Sequence, residues 1–269
     1  MTKRTQVIGI LNITPDSFYD GGQYSLPDKA YLHSIQMIED GCDWIDIGGE
    51  STRPGSEPID EEEEQQRILP VLEKLQNVSV PISVDTYRAD TARKALKYGV
   101  SKINDISAFR LDPELVEVVS EAGCEYILMH MQGTPKTMQI EPHYDDLISD
   151  MCSFFEERLN FAVKHGIDEK KIWIDPGFGF GKTVEQNLIL LRRIREFFKF
   201  GLPILIGTSN KTTIGTILNL PVAQRVEGTA ATVAWSVFQG VDAVRVHQVK
   251  EMVRVVRMSE AIIYGTDKG

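Results

Sequence analysis

From one end of this sequence to the other, short β-branched apolar runs alternate with longer segments of helical period, and this alternation constrains the fold more than any other feature. The strand-like runs are 7–12, 44–48, 82–85, 102–106, 126–130, 172–175, 203–208 and 243–247. Amphipathic segments follow them at 30–40, 61–75, 91–97, 113–121, 145–165, 184–198, 228–239 and 249–263. Several of these run into a glycine suited to a helix C-cap: Gly41, Gly99, Gly123, Gly166 and Gly240. Strand-then-helix units of this number in 269 residues match the size of a parallel (β/α)8 TIM barrel. One domain over 1–269 is expected, with no internal repeat and no linker. The competing architecture is a doubly wound open sheet.

Polar residues at the strand ends favour the barrel. Asn12, Asp46, Asp85, Asn104, Asp105, His130, Asp175, Ser209, Lys211, Arg245 and His247 all fall where strands finish. In a barrel those C-terminal ends converge on one face, where the active site of this fold lies. An open sheet would spread them along an edge. The connections 13–29, 50–60 and 131–144 are longer than usual and each follows a strand, so they read as lids or substrate loops.

Charge narrows the choice of ligand. With 29 Lys and Arg against 39 Asp and Glu, the chain carries −10 and lacks the electrostatic footprint of a nucleic-acid binder. Any anionic ligand must be held by a few local cations. The acidic run 61–64 suits the first turn of a helix, where carboxylates complement the macrodipole. It does not suit a metal, because consecutive helical residues point in different directions. No apolar run approaches the roughly 20 residues that span a bilayer, and the segment MTKRTQVIGI goes straight into a strand without the features of a secretory signal. A cytoplasmic location is expected. Cys42, Cys124 and Cys152 are odd in number and widely spaced, suggesting neither disulfides nor a zinc site.

An anion site is expected in the loops after strands seven and eight, the habitual phosphate site of a TIM barrel. They hold Thr208, Ser209, Lys211, Thr212, Arg245 and His247. Arg245 and His247 share one face of VRVH while Val244 and Val246 take the other. Asp85, Asn104 and Asp175 each close an apolar run, where burial demands hydrogen-bond partners. A heterocycle with N–H donors would supply them; internal pairing with Lys211 or Arg245 is the alternative. DPGFGFGKT (175–183) lacks the GxxxxGK[ST] spacing of a phosphate loop and reads as a tight turn carrying Phe178 and Phe180. His130 reads as a hydrogen-bonded core histidine.

These segments together resemble the dihydropteroate synthase family over essentially the whole chain. The resemblance is carried by GILNITPDSFYDGG (9–22), GGESTRPG (48–55), ISVDT (82–86), IND (103–105), LMHMQGTPKTMQ (128–139), DPGFGFGKT and VRVH (244–247). It implies a cytoplasmic, homodimeric TIM-barrel transferase of folate biosynthesis and a sulfonamide target. Such an enzyme joins para-aminobenzoate to 6-hydroxymethyl-7,8-dihydropterin diphosphate, giving 7,8-dihydropteroate and pyrophosphate. Carried over by position, Asp85, Asn104, Asp175 and Lys211 would hold the pterin ring, with Met129, Phe180 and Gly207 lining it. Asn12, Thr52, Arg53, Arg245 and His247 would surround the diphosphate, Asn12 also reaching Mg²⁺. Phe18, Pro54, Lys211 and Thr212 would form the aminobenzoate pocket. Asp20, Arg53, Lys211, Arg245 and His247 would be the catalytic set, and loops carrying Asp20 and Arg53 would close over both substrates. The implied mechanism is dissociative, decided by electrostatic stabilisation of the leaving diphosphate.

Two segments depart from the family pattern. Ser209-Asn210-Lys211-Thr212 stands where Ser-Arg-Lys-Ser is common, and Tyr19 replaces a small serine. Both are expected to tune affinity and leave the reaction unchanged. A methyltetrahydrofolate-type methyltransferase would share the barrel and the Asp/Asn/Asp contacts but would not require the diphosphate ligands of GGESTRPG and VRVH. A non-catalytic pterin-binding protein would have no use for Asn12, Arg53 and Arg245.

Overall fold

The strands are short apolar runs that a parallel sheet buries on both faces, one against the barrel interior and the other against helices. In the computed structural model, which describes residues 4–14, 25–52 and 55–266, the chain runs β1 (Gln6–Asn12), α1 (Leu26–Glu39), β2 (Trp44–Gly48), α2 (Glu61–Leu75), β3 (Ile82–Asp85), α3 (Ala89–Leu96), β4 (Lys102–Asp105) and α4 (Leu115–Ala122). It continues through β5 (Glu125–Met129), α5 (Leu147–Lys164), β6 (Ile172–Asp175), α6 (Val184–Arg193), β7 (Leu205–Ile206), α7 (Thr212–Leu218), α8 (Val226–Gln239), β8 (Ala243–Val246) and α9 (Val249–Tyr264). The sheet order is β6-β5-β4-β3-β2-β1-β8-β7, with every pair parallel. A parallel bridge between Ile174 and Ile204 joins β6 to β7, so the sheet closes on itself as the TIM barrel expected from the alternation.

Alternation along each strand decides what faces inward. Val7, Ile45, Ile47, Val84, Ile103, Leu128, Ile174, Ile206, Val244 and Val246 pack in the large cluster between barrel and helices. Their neighbours point to the axis. At the N-terminal end these are Ile8, Trp44, Ile127, Trp173, Leu205 and Ala243, an apolar plug. Lys102 enters this plug with its ammonium 4.7 Å from the Trp44 ring centre and 2.6 Å from Glu125 Oε2. One pleat further toward the C-terminal end, the same inward positions become Asp46, Ser83, Asn104, Met129, Asp175, Gly207 and Arg245. The barrel is thus dry below and polar above.

Several boundaries differ from expectation for local reasons. α1 starts at Leu26, ahead of 30, because the Ser25 side chain caps it by accepting from the Asp28 backbone N–H and a proline occupies the first turn. The segment 184–198 is α6 followed by a 3-10 turn, Ile194–Phe200. β7 is reduced to two residues: Pro203 lacks an N–H for the ladder. Helix α7, unanticipated, is too short for periodicity to reveal. The five glycines read as C-caps all take φ between 59° and 95°.

Candidate active site

At the centre of the polar layer lies Asp46, buried at 1 % exposure. It accepts hydrogen bonds from Ser83 Oγ (2.5 Å), Asn104 Nδ2 (3.0 Å) and Arg245 Nε (2.5 Å). Arg245 uses a second nitrogen, Nη2, to reach Asp85 Oδ2 at 2.8 Å. Four strands, β2, β3, β4 and β8, therefore meet in one network. The internal pairing left open for Asp85 is realised with Arg245, and the residue that organises it, Asp46, was read from the sequence only as one polar strand end among many. Its partner Arg245 is 199 residues away, so no local pattern links them.

Asn104 donates its amide N–H to a carboxylate, which fixes the orientation of the group. Its Oδ1 is buried and has no hydrogen-bond partner. A buried acceptor left unpaired costs about 1–3 kcal/mol, so this oxygen marks a place where a donor on a ligand is rewarded. Burial pushes Asp85 up to about 7, Arg245 opposing it and Asp46 adding to it. Asp175 is pushed up to about 6 by burial, against the Gly177 N–H and the charge of Lys211.

Asp105 does not join this chamber. Asn104 points inward, so Asp105 points out, where it accepts at 2.7 Å from Ser107 N, Ser107 Oγ, Phe109 N and the Tyr126 hydroxyl. His130 also faces outward from the end of β5. It is 4 % exposed, with Nδ1 3.0 Å from Lys182 Nζ, the hydrogen-bonded core histidine the sequence suggested.

Beside Asp175 the wall is apolar, built from Ile106, Met129, Met131, Met138 and Phe180. Lys211, the N-cap of α7, holds its ammonium 4.1 Å from the centre of the Phe180 ring. The turn after Asp175 needs its first glycine: Gly177 has φ +65°, and a Cβ there would lie 1.9 Å from the His130 carbonyl oxygen. Gly207 lies against Arg245, whose Cβ would be 3.7 Å from a Cβ on the glycine.

Around the rim, Ser209 accepts from the His247 backbone N–H (3.2 Å) and lies 2.9 Å from His247 Nδ1. Asn12 ends β1 opposite Gly48. Thr52 is half-buried on a loop fastened at its base, where Arg88 Nη2 reaches Glu50 Oε2 at 2.7 Å and the Ile59 carbonyl at 2.5 Å. Asn210 takes φ +57°, a conformation asparagine tolerates better than arginine, and its N–H donates to Thr229 Oγ1 at 3.1 Å. Thr212 is exposed in the first turn of α7. Phe18, Tyr19, Asp20, Arg53 and Pro54 lie outside the described residues. Among the described residues no group of three or more His, Cys, Asp or Glu side chains is arranged to hold a metal. A Mg²⁺ at Asn12 would take most of its oxygens from phosphate and water, a common arrangement for this ion. No helix among the described residues is long and apolar enough to cross a membrane.

Residues 8–247 match the family described as pterin binding enzyme. The chain is 47 % identical over 262 residues to the dihydropteroate synthase of Bacillus subtilis, covering 97 % of this chain and 90 % of the relative. It superposes with TM-score 0.93 on the Yersinia pestis dihydropteroate synthase solved with a sulfonamide drug complex, at 44 % identity and covering 98 % and 96 % of the two chains. A Clostridium difficile dihydropteroate synthase, solved in the presence of pteroic acid, superposes with TM-score 0.91 at 43 % identity, covering 98 % of each chain.

Proposed function

Since the chain belongs to the dihydropteroate synthases of the pterin-binding enzyme family, we propose that its polar barrel chamber binds the pterin ring and that its rim activates the diphosphate. The observation that carries this reading is the unpartnered Asn104 oxygen in a buried chamber shared with Asp85 and Asp175. A pterin presents an amino group and ring nitrogens with N–H donors at one edge, matching acceptors on Asp85, Asn104 and Asp175. Lys211 complements the ring's acceptors, and Met129, Phe180 and Gly207 line the slot.

The diphosphate faces Asn12, Thr52, Arg53, Arg245 and His247. His247, held through Nδ1 by Ser209, faces the diphosphate with its remaining ring nitrogen. Arg245 binds Asp46 and Asp85 with two nitrogens, so its remaining donors serve the ligand. When bound beside Asn12, Mg²⁺ supplies further neutralisation of the leaving group. The C–O bond between the pterin methylene and the diphosphate breaks, its electron pair leaving with pyrophosphate. The arylamine nitrogen of para-aminobenzoate then bonds to the methylene carbon and loses a proton. Cations at the rim stabilise the departing charge, and the carboxylates below tolerate the cationic pterin. Phe18, Pro54, Lys211 and Thr212 hold the aminobenzoate, the site a sulfonamide would occupy. A cytoplasmic location and a homodimer complete the reading.

The division of roles is testable. Asp175→Asn should weaken pterin binding about tenfold or more, the scale of a charged hydrogen bond lost. Arg53→Ala should lower turnover with pterin affinity nearly intact, since that interaction serves the transition state. Calorimetric pterin affinity beside steady-state kinetics checks both; equal losses of pterin affinity would contradict the division.

A further inference from the structure

Lys182, in the turn between β6 and α6, is 2 % exposed and is used by none of the steps above. Its ammonium donates to His130 Nδ1 at 3.0 Å, to the Gly177 carbonyl at 3.0 Å and to the Phe180 carbonyl at 3.1 Å. Burial pulls the Lys182 ammonium down to about 7, the charge of Asp175 opposing it; in its charged form three protons meet three acceptors, so the group has no donor left for a phosphate. This is the physical reason that GKT here is no phosphate loop. The turn is wound round the ammonium: Phe180 N also donates to the Gly177 carbonyl at 3.0 Å.

Two of the tied residues, Gly177 and Phe180, have their other ends in the proposed pterin site. Gly177 N donates to Asp175 Oδ1 at 2.7 Å, and the Phe180 ring carries the Lys211 ammonium. On the far side, His130 is clamped edge-on against Phe154, ring centres 4.8 Å apart. Burial, with Lys182 and Arg110 nearby, drives the His130 ring well below its ordinary pKa, so it stays neutral and accepts at Nδ1. We propose that Lys182 is a positioning residue for the pterin site: its ammonium ties the Gly177 and Phe180 carbonyls to His130 and thereby sets the Asp175 carboxylate and the Phe180–Lys211 pair as one unit. The inference rests on the pterin reading above.

The alternative is that Lys182 only satisfies buried carbonyls, in which case a neutral substitute costs stability alone. Lys182→Gln keeps an amide donor but loses the charge and the three-way tie. Binding of 6-hydroxymethyl-7,8-dihydropterin, without its diphosphate, is measured by calorimetry, alongside kinetics and thermal unfolding. In the folded variant, pterin affinity should fall and KM for the pterin diphosphate rise about tenfold, with kcat within about threefold, as expected when charge-assisted positioning of a bound ground state is lost. Lowered thermal stability with affinity and KM within about twofold of wild type would overturn the assignment. Should Lys182→Gln fail to fold, His130→Leu removes only the imidazole arm; it should weaken pterin binding about threefold or more, and unchanged affinity would overturn the tie to His130. Wild-type protein that does not bind the pterin rejects the pterin reading itself, whereas binding by wild type with unaffected variants rejects only the role of Lys182.

Discussion

Asp85 and Asp175 sit in the barrel with carboxyl groups pushed up to about 7 and about 6 by burial, Arg245 and Lys211 pulling the other way. Besides Arg245, the charged groups acting on Asp85 are Asp46, Glu64 and Asp105. Only an ionised carboxylate accepts fully from a pterin N–H, so protonating these groups must weaken binding. Pterin affinity should therefore fall between pH 8 and pH 5, approaching about tenfold for each pH unit below the pKa of a required group. Calorimetry across that range checks it; affinity flat to pH 5 would show that neither carboxylate needs its charge. At this scale the sequence told part of the story. The inward positions Asp85, Asn104 and Asp175 were legible because each closes an apolar run, and Arg245 because period-two alternation in VRVH names its face. Asp105 ends its strand as read, and the same alternation turns it outward to Tyr126. Asp46 and Lys182 were not recognised as organisers, since their partners come from other strands and turns and only the closed barrel brings them together.

Elements were easier to read than their ends. Seven strand starts or stops, on five strands, were off by a residue or more because a ladder ends where a hydrogen-bond partner ends, and that is set by the neighbouring strand. α7 escaped because seven residues carry too little periodic signal, yet it matters, since its N-cap is Lys211. The last three helices also leave large apolar side chains uncovered: Ile217, Leu218, Trp235, Phe238, Met258 and Ile262 are each at least 40 % exposed. With α8 and α9 packed on each other, exposed apolar groups on these helices are what the proposed homodimer would bury. Sedimentation should give twice the chain mass of 30.3 kDa, and Trp235→Glu should shift the protein toward one chain. A single-chain mass for the wild type at micromolar concentration would reject the dimer.

For the whole molecule, a net charge of −10 seemed unfavourable to a diphosphate substrate. Closing the sheet changes what that number means, because Lys211, Arg245 and His247, from the ends of β7 and β8, reach one face and act there locally whatever the net charge. The apolar plug below and the polar chamber above follow from one register, which the alternation of strands and helices already implied. What the alternation did not contain was the pairing of Arg245 with two carboxylates, a property of eight strands meeting. The most direct test of the account gives the purified protein 6-hydroxymethyl-7,8-dihydropterin diphosphate, para-aminobenzoate and Mg²⁺, and follows pyrophosphate and pteroate together. Equimolar pyrophosphate and 7,8-dihydropteroate are expected, lost on chelation of the metal; no pteroate product from folded, pterin-binding protein would contradict the synthase assignment.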